Sequence, residues 1–220
     1  MRVLDLYCGA GGAARGYQLA GFETTGVDLA PQPNYCGEMF IQGDVIALLP
    51  TLNLSGIDFI HASPPCQSST ALTKGTNRGR VYPELIEPTR ELLDATGLPY
   101  VIENVQGAKV RRDLTLCGEM FGLEVLRHRY FEVSGLDITQ PAHKPHRGRV
   151  QGWRHGVYHD GPYFAVYGDG GGKGSVAEWQ RAMGIDWTDV RLELAEAIPP
   201  AYTYCIGSQA VSQLQQKDAA

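Results

Sequence analysis

The sequence predicts an α/β fold, a doubly wound and mostly parallel sheet that carries a small insertion domain. Over the first 135 residues, short apolar segments alternate with segments of helical period, which is typical of a parallel sheet covered by helices on both faces. A glycine-rich turn joins the first strand to the first helix, where folds of this kind hold nucleotide-type ligands. The stretch 136–189 has no strong period and interrupts this pattern.

The predicted elements follow one another in a regular order. RVLDLY is a strand, CGAGGAARG a turn and YQLAG a helix, and FETTGVD and GIDFIHA are the next strands. YPELIEPTRELLDATG predicts a helix from about Pro83 to Thr96, with Gly97 at its end. LPYVIENV and HRYFEVSG are further strands, and a Pro-Pro break separates the helices RLELAEAI and SQAVSQLQQ. We therefore expect a core of residues 1–135 and 190–217, with residues 136–189 inserted into it.

Composition narrows the class of protein. The 220 residues are 43% hydrophobic and 20% charged, which is ordinary for a globular protein of one domain with an insertion. The sequence predicts no membrane partner, because no apolar run approaches the roughly 18 residues of a membrane helix and MRVLDLY does not resemble a signal peptide. Five scattered cysteines without a C-x-x-C pair predict a reducing compartment and argue against a disulfide framework or a zinc site. With a net charge of −5, a nucleic-acid partner must be held by local basic patches.

The turn in DLYCGAGGAARG suits a nucleotide-type ligand. Gly9, Gly11 and Gly12 allow a tight turn and let a ligand approach the N–H groups at the start of the helix. Asp28 ends the next strand, where an acid can accept hydrogen bonds from a ribose diol. Asp44, in GDV, is placed either to receive an adenine amino group or to cap the following helix. These features do not separate NAD from S-adenosylmethionine.

The segment HASPPCQSST presents a thiol at the carboxyl edge of the sheet. Pro64 and Pro65 fix the backbone before Cys66, and a small, flexible and basic segment follows it. Such a composition suits a loop that carries a nucleophile and closes on a polyanion. The other cysteines are interpreted as buried structural residues: Cys8, Cys36, Cys117 and Cys205.

Two further strands end in charged residues. Glu103 and Asn104 close the apolar strand YVIENV, where a carboxylate is costly unless it is paired or protonated. Arg127 and Arg129 are two positions apart in RHRYFEV, which predicts that they share one face of a strand. There they would hold an anionic or carbonyl-bearing ligand, or fix Glu103.

Six segments, taken in their order along the chain, resemble the DNA (cytosine-5) methyltransferase family: DLYCGAGG, GVD, GDV, SPPCQS, ENV and RHRYFE. The resemblance covers about residues 1–133, resumes weakly around 192–216, and points to the short phage-type members, whose endings are similar to IPPAYT. It implies a Rossmann-like methyltransferase sheet, S-adenosylmethionine as the cofactor and double-stranded DNA as the partner. It also implies a monomer in the cytoplasm of a bacterial or phage-infected cell.

The resemblance assigns the chemistry to four residues. Cys66 matches the family nucleophile, which adds to C6 of a cytosine flipped out of the duplex. Glu103 matches the residue that protonates N3 and holds the exocyclic amine, which requires a raised pKa or proton delivery only when the base is bound. Arg129 matches the arginine that contacts the base carbonyl and the catalytic loop, and Arg127 is its companion.

The resemblance and the basic patches also assign two sets of binding residues. The cofactor would contact the residues of the first turns and of the nucleophile loop: Tyr7, Gly9, Gly11, Gly12, Asp28, Leu29, Asp44, Val45 and Pro65. The nucleic acid would contact the loop after the nucleophile and the basic part of the insertion: Gln67, Ser68, Lys74, Arg78, Arg80, Lys144, Arg147, Arg149 and Arg154.

Three features depart from the family pattern. Val125 replaces a usual glutamine, and EAIPPAYTYCIG replaces a Q-x-G-N-S segment, so that Pro199 and Pro200 stand where Asn and Ser would line the cofactor site. The insertion is short, and its segment HKPHRGRVQGWRHG interleaves basic residues with Trp153, as in a small recognition module or a solvated basic loop. Its histidines, at positions 143, 146, 155 and 159, lack cysteine partners and helical spacing, so no metal site is predicted.

Other functions remain as alternatives. RNA or tRNA cytosine methylation would keep the chemistry and change the substrate, and a DNA-binding relative with a degraded cofactor site would keep neither the chemistry nor the cofactor. A nicotinamide enzyme would fit the glycine-rich turn but leaves PPCQ and ENV unexplained. A modified sulfonium donor in place of S-adenosylmethionine would suit the altered segment EAIPPAYTYCIG. YGDGGGKGS does not form a P-loop, because Tyr167 and Gly174 occupy its first and last positions.

Overall fold

The computed structural model describes residues 1–65, 84–168 and 174–218. Within these ranges seven strands form one sheet in the order β3-β2-β1-β4-β5-β7-β6. The strands are β1 (Arg2–Leu6), β2 (Glu23–Asp28), β3 (Met39–Gln42), β4 (Phe59–Ala62), β5 (Tyr100–Val105), β6 (Leu114–Leu116) and β7 (Arg129–Ser134). Strands β1 to β5 are parallel, and β7 runs antiparallel to both of its neighbours. The predicted doubly wound, mostly parallel sheet is confirmed.

Helices cover both faces of this sheet. They are α1 (Gly12–Leu19), α2 (Val45–Leu48), α3 (Ile86–Thr96), α4 (Val176–Met183), α5 (Arg191–Glu196) and α6 (Pro200–Asp218). Short 3-10 helices span Leu49–Thr51 and Gly118–Phe121, and a hairpin pairs β8 (Gly152–Arg154) with β9 (Val157–His159). In the described part of the chain, no helix has the length and apolar character needed to span a membrane.

The apolar core lies in two layers, one on each side of the sheet. Val3, Phe59 and Phe131 face the layer that α1 and α6 complete, whereas Leu4 and Ile60 face the layer completed by α3. Both faces of the central strands are buried. For this reason apolar residues follow one another along these strands and do not alternate with polar residues.

The C-terminal helix is longer than the sequence predicts. It begins at Pro200, so the Pro-Pro pair starts the helix and AYTYCIG forms its first turns. A proline fits the first turn because the N–H that it lacks would have no partner there. This helix crosses α1 closely: a Cβ on Gly16 would lie 2.0 Å from Thr203 Oγ1.

The sequence did not predict β3, β6, the β8–β9 hairpin or α4. Helix α4 begins with a capping box in which Ser175 and Glu178 bond each other's backbone N–H groups. Its Trp179 and Met183 are fully buried against core residue Leu194. The end of the 136–189 stretch therefore packs against the core, and the division into core and insertion stays a prediction.

Candidate active site

The glycine-rich turn after β1 is tight on one side and open on the other. Gly11 is the N-cap residue of α1 with φ +92°, and a Cβ there would lie 2.7 Å from Cys36 Sγ. Gly9 also has a positive φ, +50°, but a Cβ there would meet no described atom within 4 Å. The turn thus requires glycine for its backbone at both positions, and it leaves space for a ligand above Gly9.

Asp28 lies beside this turn at the end of β2. Its Oδ2 accepts a hydrogen bond from Gly9 N at 3.0 Å, and its Oδ1 accepts one from Ala30 N at 3.0 Å. The side chain of the next residue, Leu29, is 70% exposed. A fixed acceptor beside an exposed apolar side chain suits a ligand with a polyol and an aromatic part, as expected for these two positions.

Three other predicted cofactor residues have structural partners. Asp44 caps α2, because its Oδ1 accepts the N–H of Ile46 at 2.9 Å, so the capping interpretation is confirmed and the adenine contact stays a prediction. Val45 is buried in the core, which leaves its backbone as the means of contact. The Tyr7 hydroxyl lies 2.8 Å from Thr89 Oγ1, which fixes the ring between the turn and α3.

Glu103 and Arg129 form a buried ion pair at the end of β5. Arg129 Nε lies 2.9 Å from Glu103 Oε1, and the side chains are 15% and 7% exposed. Burial raises the pKa of Glu103, and the charges of Arg129 and Arg127 and a hydrogen bond with Ser63 offset this only in part. Of the two alternatives for Arg129, the one in which it fixes Glu103 is thus confirmed, and the pKa of the carboxyl remains raised.

Asn104 connects this pair to the segment that leads to the predicted nucleophile. Its Nδ2 donates a hydrogen bond to Pro64 O at 2.8 Å, and Ala62 is in register with Ile102 across β4 and β5. Pro64 is buried, whereas Pro65 is exposed. Several predicted residues lie outside the described ranges: Cys66, Gln67, Ser68, Lys74, Arg78 and Arg80.

A chain of mostly buried polar groups leads to Glu103 along strand β4, through Ser63. The Tyr17 hydroxyl lies 3.0 Å from His61 Nδ1, and His61 Nε2 lies 3.0 Å from Ser63 Oγ. Burial lowers the pKa of His61 to about 3, so the imidazole is neutral. Sequence reasoning missed this chain, although a histidine inside the apolar strand FIHA was a visible signal.

Arg127 occupies a different place from the one predicted. It precedes β7, has φ +39°, and therefore does not share a strand face with Arg129. Its guanidinium donates to Val166 O at 2.8 Å and Ala195 O at 2.6 Å. The prediction of a shared face is wrong because pairing with β5 and β6 begins only at Arg129, and Arg127 instead ties the insertion to the segment before α6.

The segment EAIPPAYTYCIG lies against the glycine-rich turn, although its sequence departs from the family pattern. A Cβ on Gly12 would lie 2.5 Å from Ile198 O, so the segment before Pro199 abuts the start of α1. Trp187 Nε1 donates to Ala10 O at 2.8 Å and so reaches the glycine-rich turn itself. Trp187 was not predicted, and nothing in its local sequence distinguishes it from an ordinary core tryptophan.

The basic residues of the insertion differ in how they are held. Arg147 Nε lies 2.8 Å from Glu119 Oε1, which anchors this side chain to the core. Lys144 and Arg149 are exposed, and Arg149 donates to Asp160 O at 3.2 Å. Arg154 ends β8, and its side chain falls outside the described part.

The β8–β9 hairpin carries two exposed aromatic rings. Trp153 and Tyr158 are 66% and 50% exposed, and their ring centroids lie 5.6 Å apart in an edge-to-face arrangement. They are directly paired across the hairpin. Exposed aromatic rings among basic residues are a surface on which nucleic-acid bases stack.

Comparison with known proteins agrees with the motifs. No protein-family model matches the chain. It is 29% identical over 125 residues to the type II methyltransferase M.AquIA of Picosynechococcus sp., a match that covers 48% of this chain and 49% of that protein. The chain thus matches about half the length of this curated relative.

Solved structures share the fold over nearly the whole chain. A protein designated a DNA modification methyltransferase, encoded within an E. coli prophage, has a TM-score of 0.64 at 14% identity and covers 98% of this chain and 99% of its own. The Dnmt2 methyltransferase of S. pombe has a TM-score of 0.63 at 15% identity, with 99% of both chains covered. The sequence match confirms the resemblance to a methyltransferase, and these structures confirm the fold.

Proposed function

We propose that this chain is an S-adenosylmethionine-dependent DNA (cytosine-5) methyltransferase. The observation that carries the proposal is the buried Glu103 carboxyl, whose pKa is raised, held by Arg129 beside the SPPC segment. A raised pKa brings the carboxyl nearer to the range in which it can give a proton to a ring nitrogen, whereas an ordinary glutamate is almost fully ionised at neutral pH. The similarity to M.AquIA, a type II methyltransferase, supports the reaction class.

The reaction requires activation of a poorly nucleophilic carbon. In the proposed mechanism the Cys66 thiolate forms a bond to C6 of cytosine, Glu103 gives its proton to N3, and electron density moves to C5. C5 would then take a methyl group as the bond from the methyl carbon to the donor's sulfonium sulfur breaks and leaves a neutral thioether. C5 would lose its own proton to a base, N3 would return its proton to Glu103, and the bond from sulfur to C6 would break to restore the Cys66 thiolate. A free thiol is only a few per cent ionised at neutral pH, so the proposal requires the site to favour the thiolate.

The residues around the glycine-rich turn fit the cofactor. The space above Gly9 admits a ligand, and Asp28 offers carboxylate oxygens to hydroxyl groups on the ligand. Leu29 would cover an aromatic base, while Trp187 and Ile198 close the side nearest α1. S-adenosylmethionine would supply the methyl group on a positively charged sulfonium.

The nucleic acid would lie across the carboxyl edge and the hairpin. Enzymes that modify a base inside a duplex rotate it out of the stack, so Glu103 and Arg129 would receive a flipped cytosine. Trp153 and Tyr158 offer stacking surfaces, and Lys144 adds an exposed positive charge. The prophage protein of the same fold, designated a DNA modification methyltransferase, supports DNA as the substrate.

A covalent trapping experiment tests this proposal. The protein is mixed with S-adenosylmethionine and duplex DNA that carries 5-fluorocytosine in random sequence contexts, and intact mass spectrometry follows. Fluorine cannot leave C5 as a proton does, so the enzyme stays attached to the methylated base. We expect an adduct that Cys66→Ala abolishes and that Cys205→Ala, which removes a thiol from α6, retains.

Each other outcome points elsewhere. An adduct that persists in Cys66→Ala would refute the assigned nucleophile. An adduct on fluorinated RNA and none on DNA would replace the substrate by RNA. If neither nucleic acid is trapped and S-adenosylmethionine does not bind, the chain is a degraded relative and the proposed activity is wrong.

A further inference from the structure

Four side chains with metal-binding atoms meet at the far edge of the sheet. Cys117 follows β6, His128 precedes β7, and His143 and His146 lie in the segment before the hairpin. One ligand atom from each lies within 4.8 Å of the other three. The sequence interpretation that the histidines of the insertion lack a cysteine partner is wrong for His143 and His146, because both lie in the cluster with Cys117, whose Sγ is 3.6 Å from His146 Nε2.

Sheet pairing explains how the cysteine reaches the histidines. Leu116 is in register with Arg129 in the antiparallel β6–β7 pair, so the next residues on each side are Cys117 and His128. Gly118 N donates to Leu126 O at 2.8 Å and closes the loop between these two positions. The first two ligands are therefore held by the core itself.

The other two ligands are brought back to this edge by the insertion. Arg147, next to His146 in sequence, binds the Glu119 carboxylate and also donates its N–H to the Tyr163 hydroxyl at 2.9 Å. The Tyr163 hydroxyl in turn donates to Glu119. This network anchors the segment that carries His146 to the 3-10 helix that follows Cys117.

Two ligand-to-ligand distances in the cluster match those around a tetrahedral zinc ion. With zinc bonds of about 2.0–2.1 Å to nitrogen and about 2.3 Å to sulfur, tetrahedral geometry separates two nitrogens by roughly 3.3 Å and nitrogen from sulfur by roughly 3.6 Å. His128 Nε2 lies 3.2 Å from His143 Nε2, and Cys117 Sγ lies 3.6 Å from His146 Nε2. The three imidazole rings also pack against one another, with centroids 5.1 to 5.4 Å apart.

We propose that Cys117, His128, His143 and His146 bind one zinc ion in a structural site. Four protein ligands complete a tetrahedron and leave no position for substrate, which distinguishes a structural zinc from a catalytic one. One thiolate and three imidazoles suit zinc better than magnesium or calcium, which prefer oxygen ligands. On binding, the Cys117 thiol releases its proton to solvent and the sulfur donates its electron pair to the metal.

The ion would connect the insertion to the sheet next to the candidate active site. Its ligand His128 directly precedes Arg129, and Arg129 Nη1 donates to His128 O at 3.0 Å. The zinc would thus fix the start of β7, from which Arg129 reaches Glu103. This role is independent of the proposed methyl transfer, and metal binding can be measured without activity.

Metal binding to the full chain tests the site directly. The protein is stripped with a chelator and titrated with Zn²⁺ alone, and bound metal is quantified by mass spectrometry after gel filtration. We expect one equivalent per chain. Titration with Co²⁺ alone should give the intense visible absorption of a tetrahedral ion together with a thiolate-to-cobalt charge-transfer band.

Matched variants locate the ligands. His143→Ala changes an exposed side chain and Cys117→Ser a buried one, and each should weaken Zn²⁺ binding by more than about 100-fold, because loss even of groups that only orient metal ligands costs about 10- to 100-fold. His155→Asn and Cys205→Ser should bind as the unmodified protein does, since the described cluster includes neither residue. Circular dichroism checks that each variant folds.

Three results would overturn the proposal. They are substoichiometric Zn²⁺ in the unmodified protein, a cobalt spectrum without the charge-transfer band, and binding that persists in a folded His143→Ala. If the unmodified protein binds one equivalent of Zn²⁺ but traps no DNA in the fluorocytosine experiment, the proposed activity is wrong and the zinc site stands.

Discussion

Strand pair β5–β7 carries two buried carboxylates that arginines hold in different ways. Glu103, at the carboxyl end of β5, has the Arg129 guanidinium within 2.9 Å, and its pKa is raised. Glu132, on β7, is fully buried on the opposite face of the sheet. Arg90 binds both of its oxygens, at 2.8 and 2.9 Å, and a backbone N–H adds a third hydrogen bond, at 3.0 Å.

The difference shows how many donors a buried carboxylate needs to remain an anion. Burial alone would raise the pKa of Glu132, but the hydrogen bonds of Arg90 and the Arg111 N–H, with the charges of both arginines, lower it overall. Among the described residues Glu103 has fewer donors than Glu132, and the effect of burial on its pKa prevails. One carboxylate is thus a fixed structural anion, while the other can exchange a proton.

The largest effect is expected at Glu103. Glu103→Gln keeps the shape of the side chain and removes the acid, so we expect kcat to fall by about 10²- to 10⁴-fold. The free energy of unfolding should fall by about 1–3 kcal/mol, less than for Glu132→Gln, because Arg129 keeps its hydrogen bond to His128 O and the pKa of Glu103 is raised rather than lowered. Methyl transfer from labelled S-adenosylmethionine and urea unfolding measure the two quantities, and a variant with unchanged kcat would show that Glu103 is as structural as Glu132.

The converse is expected at Glu132. Glu132→Gln removes the buried carboxylate that Arg90 binds and leaves the guanidinium only the exposed Glu87 carboxylate, so the free energy of unfolding should fall by about 3–5 kcal/mol. The folded fraction should keep its kcat, since Glu132 faces away from Glu103. Urea unfolding at constant pH gives the stability, and a fall in kcat that exceeds the loss of folded protein would contradict the assignment.

Asp5 extends the comparison to a carboxyl without an arginine. Burial, reinforced by the charge of Asp28, raises its pKa to about 8, against a backbone hydrogen bond from Ala14 that lowers it. The folded state therefore holds one more proton than the unfolded state between about pH 4 and pH 8, and this group makes stability decrease as the pH rises.

Replacement by Asn should remove that decrease. We compare how the free energy of unfolding changes with pH in the two proteins between pH 5 and pH 7. This slope should be more positive in Asp5→Asn than in the unmodified protein by about 1.4 kcal/mol per pH unit. Parallel urea titrations at several pH values measure the slopes. Identical slopes in the two proteins would mean that Asp5 is ionised in the folded state.

The smallest effect is expected at Arg111. Its guanidinium is 53% exposed and lies 3.4 Å from Glu132 Oε1, so the ion pair is screened by solvent. Arg111→Ala keeps the backbone N–H that bonds Glu132 and should cost about 1 kcal/mol or less. A loss as large as that of Glu132→Gln would show that Arg111, rather than Arg90, holds the anion.

The central elements were predictable because local signals and tertiary structure agree there. The glycine-rich turn, the strand that carries Glu103 and the Gly97 cap of α3 all follow from apolar runs and glycines. The contact between Arg129 and Glu103 was predicted from chemistry, since a strand-end acid needs a cation or a proton.

The rest depends on contacts between distant segments. Arg127 was misplaced because sheet pairing, rather than the propensity of RHRYFEV, decides where β7 begins. Cys117 and His146 lie 29 positions apart, and no spacing rule connects them. Helix α4 is a different case, because its capping box, Ser175 and Glu178, was visible in the sequence and was overlooked.

The burial of Trp179 and Met183 has a consequence for engineering. A foreign segment grafted over all of 136–189 would remove side chains on which Leu194 and α5 rest. The β8–β9 hairpin lies between Arg147 and Tyr163, which bond to each other at its base. Its aromatic rings are exposed. Grafts confined to residues 152–159 should therefore leave the folding unit intact, and under the proposed function they would alter the contact with nucleic acid.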